Sequence, residues 1–266
     1  MSESIVLGAT PRPTSAVADL LTMVGRCVRL SRRDLDALMM ALMLPVMMMV
    51  LFVYLFGGAI QTGGHYPHYV TYVAPGVLVL CTAWGAAQTG VGVADDMSGG
   101  IIDRFRSMDV SGAVLLAGHV VASVVKNLVS TVVVIAVALL IGFRPHADVL
   151  QWAAATGILV LFVFAMSWLS AVVGLITKST DAAASFAFIM MFLPYVSSAF
   201  VPIKTLPGWL QGIAHHQPAT PIVESLRGLL LDQPVGHNPW LALLWSTGIL
   251  TISITLAATL FGRSAD

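Results

Sequence analysis

Charge is what this sequence has least of. Only 10% of its 266 residues are Asp, Glu, Lys or Arg, against about a quarter in a soluble domain. Thirteen basic residues balance thirteen acidic ones, so the chain has no basic footprint for nucleic acid. Cysteine is nearly absent as well. Cys27 lies in a basic amino-terminal stretch and Cys81 inside an apolar run, a mismatch of depth that leaves both as unpaired thiols. No His-Glu-x-x-His, paired-cysteine or Gly-x-Ser-x-Gly pattern occurs, and the adjacent His215 and His216 point apart on any regular element. These gaps argue against a metalloenzyme or a serine hydrolase. No Gly-x-x-x-x-Gly-Lys-Ser/Thr loop is present either, so the chain has no such cradle for a nucleotide, and an ATPase would have to be a partner. The first ten residues hold Glu3 and no apolar run, so a cleaved leader is not expected.

What fills the sequence instead is apolar. Hydrophobic residues make up 58% and mean hydropathy is +0.89. A helix needs about twenty apolar residues to cross the hydrocarbon of a bilayer. Six stretches qualify, at 37–56, 69–93, 120–143, 150–176, 182–201 and 240–261. Pro194 and Pro202 predict a break at the end of the fifth. Before the first stretch, over 15–36, Val17, Leu20, Leu21, Val24, Val28 and Leu35 recur at helical spacing opposite Arg26, Arg29, Arg32 and Arg33. That pattern predicts an amphipathic interfacial helix, with a simple extension of the first span into the cytoplasm as the alternative because Asp19, Asp34 and Asp36 dilute the basic face.

Orientation follows from the excess of Lys and Arg in cytoplasmic loops. With the amino terminus inside, Arg12, Arg26, Arg29, Arg32, Arg33, Arg104, Arg106, Lys178 and Arg263 are cytoplasmic, while Arg144, Lys204 and Arg227 are external. An even number of spans puts both termini in the cytoplasm of a bacterial plasma membrane. Lys126 near the cytoplasmic end of the third span is expected to snorkel toward headgroups. His119 stands near the same end, where it reads as a helix-terminus or interface residue. The external segment 202–239 is long and rich in proline, and short helices are expected at about 206–214 and 220–231.

A proton-coupled carrier would need ionisable groups near the midplane, and none is found there. The second stretch instead offers Thr82, Trp84, Gln88 and Thr89, and the fifth offers Phe192, Tyr195, Ser197, Ser198 and Phe200. Such mixed aromatic and hydroxyl surfaces suit a large amphipathic ligand and equally suit packing between membrane helices. Between the second and third stretches, Gly99-Gly100 separates Asp95-Asp96 from Ile101, Ile102, Phe105 and Met108, which share a face flanked by Asp103, Arg104 and Arg106. This spacing predicts a short helix lying along the membrane, either a plain anchor or a docking surface.

Two stretches resemble the ABC-2 permeases, more narrowly the daunorubicin-resistance type of exporter. One is Asp-Met-Ser-Gly-Gly-Ile-Ile-Asp-Arg-Phe-Arg-Ser-Met at 96–108, followed by Ala117-Gly118-His119 and Val125-Lys126-Asn127-Leu128. The other runs from Phe200 to Leu210 and from His216 to Leu230. Asp109-Val110 departs from the proline-containing turn that such permeases often carry at that point. The resemblance implies an all-α integral membrane subunit, a single domain over 1–266, with six spans, an interfacial helix, a cytoplasmic coupling helix at 96–110 and an external re-entrant hairpin at 202–239. It implies no nucleotide site or cofactor in this chain. Two copies of a partner ATPase would bind ATP and Mg, and a second permease subunit, identical or not, would complete the pathway.

By the same resemblance, Asp96, Gly99, Gly100, Asp103, Arg104, Phe105, Arg106 and Met108 couple to the ATPase. Gln217, Pro218, Pro221, Glu224 and Arg227 belong to the external gate, where Glu224 and Arg227 are expected to form an exposed pair. The pathway falls between the second and fifth spans, at Thr82, Trp84, Gln88, Thr89, Phe192, Tyr195, Ser197, Ser198 and Phe200. The implied cargo is a drug, antibiotic or lipid entering from the cytoplasm or inner leaflet. An exporter of polysaccharide or lipid-linked glycan, and a non-transporting membrane scaffold or sensor, are the competing readings.

Overall fold

The computed structural model describes residues 35–58, 68–99, 112–177 and 179–262. The interfacial helix expected at 15–36 lies almost entirely outside these residues, as do 59–67 and coupling residues Gly100, Asp103, Arg104, Phe105, Arg106 and Met108. Within them the protein is helical, with no strand. Helix α1 (Leu35–Leu51) continues into a π-helical turn, Phe52–Phe56. Then come α2 (Tyr69–Ser98), α3 (Gly112–Ile141), α4 (Val149–Thr177) and α5 (Thr180–Phe192). A 3₁₀ turn (Leu193–Val196), a second (Ile203–Thr205) and the short helices α6 (Gly208–His216) and α7 (Ala219–Leu230) precede α8 (Asn238–Gly262).

Four of these helices are long and apolar enough to cross a membrane: Tyr69–Ser98, Leu116–Ile141, Val149–Thr177 and Asn238–Leu260. The apolar stretches Leu42–Phe56 and Thr180–Val196 are shorter. The break expected in the fifth stretch is present. Pro194 has no N–H to give the carbonyl four residues back, so the α ladder stops at Phe192 and tightens into the 3₁₀ turn. Local chemistry sets other ends. Asp148 and Gln151 form a reciprocal capping box at the start of α4, with N–H to side-chain oxygen distances of 2.7 and 2.8 Å. Gly142, at φ +117°, turns the chain out of α3 in a conformation that L side chains rarely adopt.

Helix α2 is the centre of the bundle, packed by α1, α3, α4, α5 and α7. Lipid tails are as apolar as leucine, so close backbone approach and interhelical hydrogen bonds must supply much of the association between spans. Helix α2 meets α4 at Gly90 and Gly174, where a Cβ on Gly174 would stand 2.2 Å from the Gly90 carbonyl oxygen. The Ser170 hydroxyl at that crossing donates to Ala87 O at 2.6 Å and accepts from the Gly90 N–H at 3.0 Å. Ser123 of α3 and Ser167 of α4 hydrogen-bond at 2.9 Å. Helix α8 is peripheral: it packs on α4 and α7 while Leu244, Ile252 and Leu256 stay exposed.

Candidate functional site

After Val196 the chain leaves helical geometry, yet Ser197, Ser198, Ala199 and Phe200 are all buried. Non-helical backbone inside a membrane protein needs donors for its carbonyls, because the apolar surroundings supply none. Side chains from elsewhere provide them. The Gln217 amide donates to Val196 O at 2.7 Å, the Tyr72 hydroxyl to Ser198 O at 2.9 Å and the Tyr69 hydroxyl to Phe200 O at 2.6 Å. The backbone of this segment lies directly on α2, where a Cβ on Gly76 would be 2.6 Å from the Ala199 Cα. Only glycine leaves room for that contact.

Arg227 ties the arrangement together. It projects from α7 and is only 2% exposed. Its Nη2 donates to Ser198 O at 2.7 Å and to Tyr72 O at 3.1 Å, and its Nη1 donates to Glu224 Oε1 at 2.7 Å. Its Cζ sits 3.9 Å from the centroid of the Tyr72 ring. One planar cation thereby joins α7, α2 and the segment that follows α5. The expected Glu224–Arg227 pair forms, but it is not an exposed one: the Arg227 side chain is buried while Glu224 remains one-third accessible. Gln217 and Pro218 are half-buried at the start of α7, and Pro221 is buried within it. The gate residues expected from sequence thus collect around α7, joined by Tyr69, Tyr72 and Gly76, which the sequence reading did not single out.

The expected pathway residues divide. Thr82 is buried and donates back to its own helix at Leu78 O and Val79 O, and Thr89 is buried as well. Ser197, Ser198 and Phe200 belong to the buried turn segment. Trp84, Gln88 and Tyr195 are partly accessible, and Phe192 is exposed. A chain of aromatic rings connects Phe192, Tyr195 and Phe200 to the π-helical turn after α1. Phe188, Phe192, Tyr195 and Phe200 follow one another at centroid distances of 4.9, 5.8 and 4.9 Å, and Phe200 meets Phe52 at 4.4 Å. Met39, Met43 and Met47 form an exposed stripe at four-residue spacing along α1.

At the opposite end of α2, Asp96 accepts its place in the last helical turn by pairing with His119 of α3, Nε2 to Oδ2 3.0 Å. Both side chains are 17% exposed. Asp96–Ser98, which the sequence assigned to the element after the span, therefore belong to α2, and Gly99 caps it with its N–H on Asp95 O at 2.9 Å. The Asp96–His119 clasp joins the two helices that flank residues 100–111. Its sequence signal was only that both residues stand near the helix ends bordering the Gly-Gly break.

Residues 18–231, four-fifths of the chain, match the ABC-2 type transporter family. The daunorubicin resistance ABC transporter permease protein DrrB1 of Streptomyces coeruleorubidus is 27% identical over 259 residues, which cover 96% of this chain and 91% of that protein. The probable doxorubicin resistance ABC transporter permease protein DrrC of Mycobacterium tuberculosis is 23% identical over 271 residues, covering 99% and 98%. A helical bundle around a buried central helix, with the family match running through its whole length up to α7, identifies this chain as a member of the ABC-2 type transporter family.

Proposed function

We propose that this protein is the membrane-spanning permease subunit of an ATP-driven exporter that moves a hydrophobic or amphipathic molecule, a drug, an antibiotic or a lipid, out of the cytoplasm or inner leaflet. The observation that carries the reading is alignment over almost the full length of two drug-resistance permeases. The accessible side chains of Trp84, Gln88, Phe192 and Tyr195 support it, since aromatic surfaces interrupted by a few polar groups favour amphipathic cargo. The methionine stripe on α1 adds a polarizable, adaptable surface of the kind used for varied ligands.

In this reading the chain is a single transmembrane domain of six spans in a bacterial plasma membrane, both termini cytoplasmic. The two shorter apolar stretches, Leu42–Phe56 and Thr180–Val196, serve as first and fifth spans. The end of α2 that carries Asp96 faces the cytoplasm, and the Arg227 end faces outward. Two copies of a separate ATPase bind ATP and Mg and push on the segment 96–110, with Arg104, Phe105 and Arg106 as contacts. A second permease subunit completes the pathway. Motion of that segment reaches α2 and α3 through the Asp96–His119 clasp. The chain itself performs no chemistry.

Co-expression with a candidate ABC ATPase from the same genome tests the partnership. Wild type is expected to co-purify with the ATPase and to support ATP hydrolysis, and Phe105→Ala to uncouple or dissociate the complex. An ATPase that never associates, together with a silent Phe105→Ala, would leave a membrane scaffold as the better description.

A further inference from the structure

Resting on the exporter reading, one feature of the Arg227 end goes beyond it. Arg227 holds three elements that are far apart in sequence: the first turns of α2 through Tyr72 O and the Tyr72 ring, the turn segment through Ser198 O, and its own helix through Glu224. Moving the turn segment away from α2 would separate Ser198 O from Tyr72 O, so the buried guanidinium would keep Glu224 but lose one of its two main-chain acceptors and with it a charge-assisted hydrogen bond in a buried site. The same motion would orphan the tyrosine hydroxyls on Ser198 O and Phe200 O and reopen the backbone contact between Ala199 and Gly76. All these interactions resist one displacement, and none of them resists translation of the three elements together.

We propose that Arg227 is a positioning residue that binds the start of α2, the 193–202 segment and α7 into one rigid body, and that substrate is released when this body moves as a unit. Peeling of the turn segment from α2 is not the opening step. The exit then widens at the outer boundary of this body, on the side where Phe188 and Phe192 are exposed. Because α2 also runs to Asp96, about 36 Å away at 1.5 Å per residue, the outer body is one end of a continuous rod.

The test uses spin labels on cysteines introduced at His68 and Lys204, both exposed and flanking the pinned contact on its two sides, in a chain whose own cysteines are replaced by alanine. The labelled chain is diluted with unlabelled permease and assembled with the ATPase in nanodiscs. The expected result is the same distance distribution in the nucleotide-free and ATP-analogue-trapped complexes, and a broadened one in Arg227→Met. Efflux per ATP hydrolysed should fall by about tenfold or more in Arg227→Met, as ångström-scale misplacement of a working element does, with partial rescue in Arg227→Lys. A merely structural role would lower efflux and hydrolysis in proportion and leave that ratio unchanged. A wild-type distance that shifts on trapping would overturn the proposal, as would an Arg227→Met chain with an unaltered distribution. Should Arg227→Met fail to fold, Tyr72→Phe removes only the hydroxyl on Ser198 O and must broaden the same distribution. If no ATPase associates, the exporter reading fails, and the distributions of wild type and variant in nanodiscs still decide whether Arg227 pins the segment.

Discussion

The two ends of α2 are held in different ways. Around Tyr72 a buried arginine, two tyrosine hydroxyls, a glutamine amide and a glycine contact fix an irregular segment against the helix. At Asp96 one polar pair, 17% exposed on both side chains, joins α2 to α3. The first end is redundant and dry, so it behaves as a block. The second has one polar pair beside the helix terminus and the small apolar cluster of Val93, Met97, Leu116, Ala117 and Val120, so fewer polar interactions hold it in one geometry. In the exporter proposed above, this asymmetry would place a more compliant end where force arrives and a stiffer end that delivers displacement.

The contrast is open to breaking at several points. Arg227→Met is expected to have the largest effect, on the order of 3 kcal/mol, since it removes the buried donor to Ser198 O and Tyr72 O and the cation paired with Glu224. Denaturant unfolding in detergent would register it. Next is Gly174→Val, whose Cβ would meet the Gly90 carbonyl oxygen at 2.2 Å, and a destabilisation of about 2 kcal/mol follows from forcing the α2–α4 crossing apart. Asp96→Asn removes the charged partner of His119 and should cost only about 1 kcal/mol in unfolding. It should nevertheless change substrate-stimulated ATP hydrolysis more than Gly174→Val does at equal residual stability. Phe192→Ala, on an exposed side chain, should leave stability within about 0.5 kcal/mol. Its expected signature is a raised KM for an aromatic substrate with a smaller change for an aliphatic one. If Asp96→Asn and Arg227→Met proved equally destabilising, the stiff and compliant ends would not differ.

Much of this architecture was legible in the sequence because hydropathy and proline punctuation report on local structure. The short helices expected at 206–214 and 220–231 are found at Gly208–His216 and Ala219–Leu230, since Pro207, Pro218 and Pro221 mark their starts. The break after Phe192 was readable from Pro194. Helix α2 runs five residues beyond its expected end at Val93. A charge normally ends a span, but Asp96 is satisfied sideways by His119, and no window of hydropathy contains that partner. Arg227 shows the same limit. From sequence it is one of three external cations, three residues from a glutamate. In the fold its acceptors include the main-chain carbonyls of Tyr72 and Ser198, which every sequence contains and no side-chain pattern reveals. Thr82 and Thr89, legible as polar residues in an apolar span, turn inward, because which face of a helix looks into the bundle depends on neighbours, and the weakly periodic α2 sequence does not mark it.

The most direct measurement is ATP-dependent movement of an amphipathic fluorescent dye across proteoliposomes that contain this chain and the ATPase that co-purifies with it. A control with the ATPase lysine of the phosphate loop replaced sets the baseline. Dye movement that requires ATP, both polypeptides and that lysine is the result the account predicts. Movement without this chain, or a co-purified and hydrolysing complex that moves no amphipathic molecule, would contradict the assignment of this protein as the permease of such an exporter.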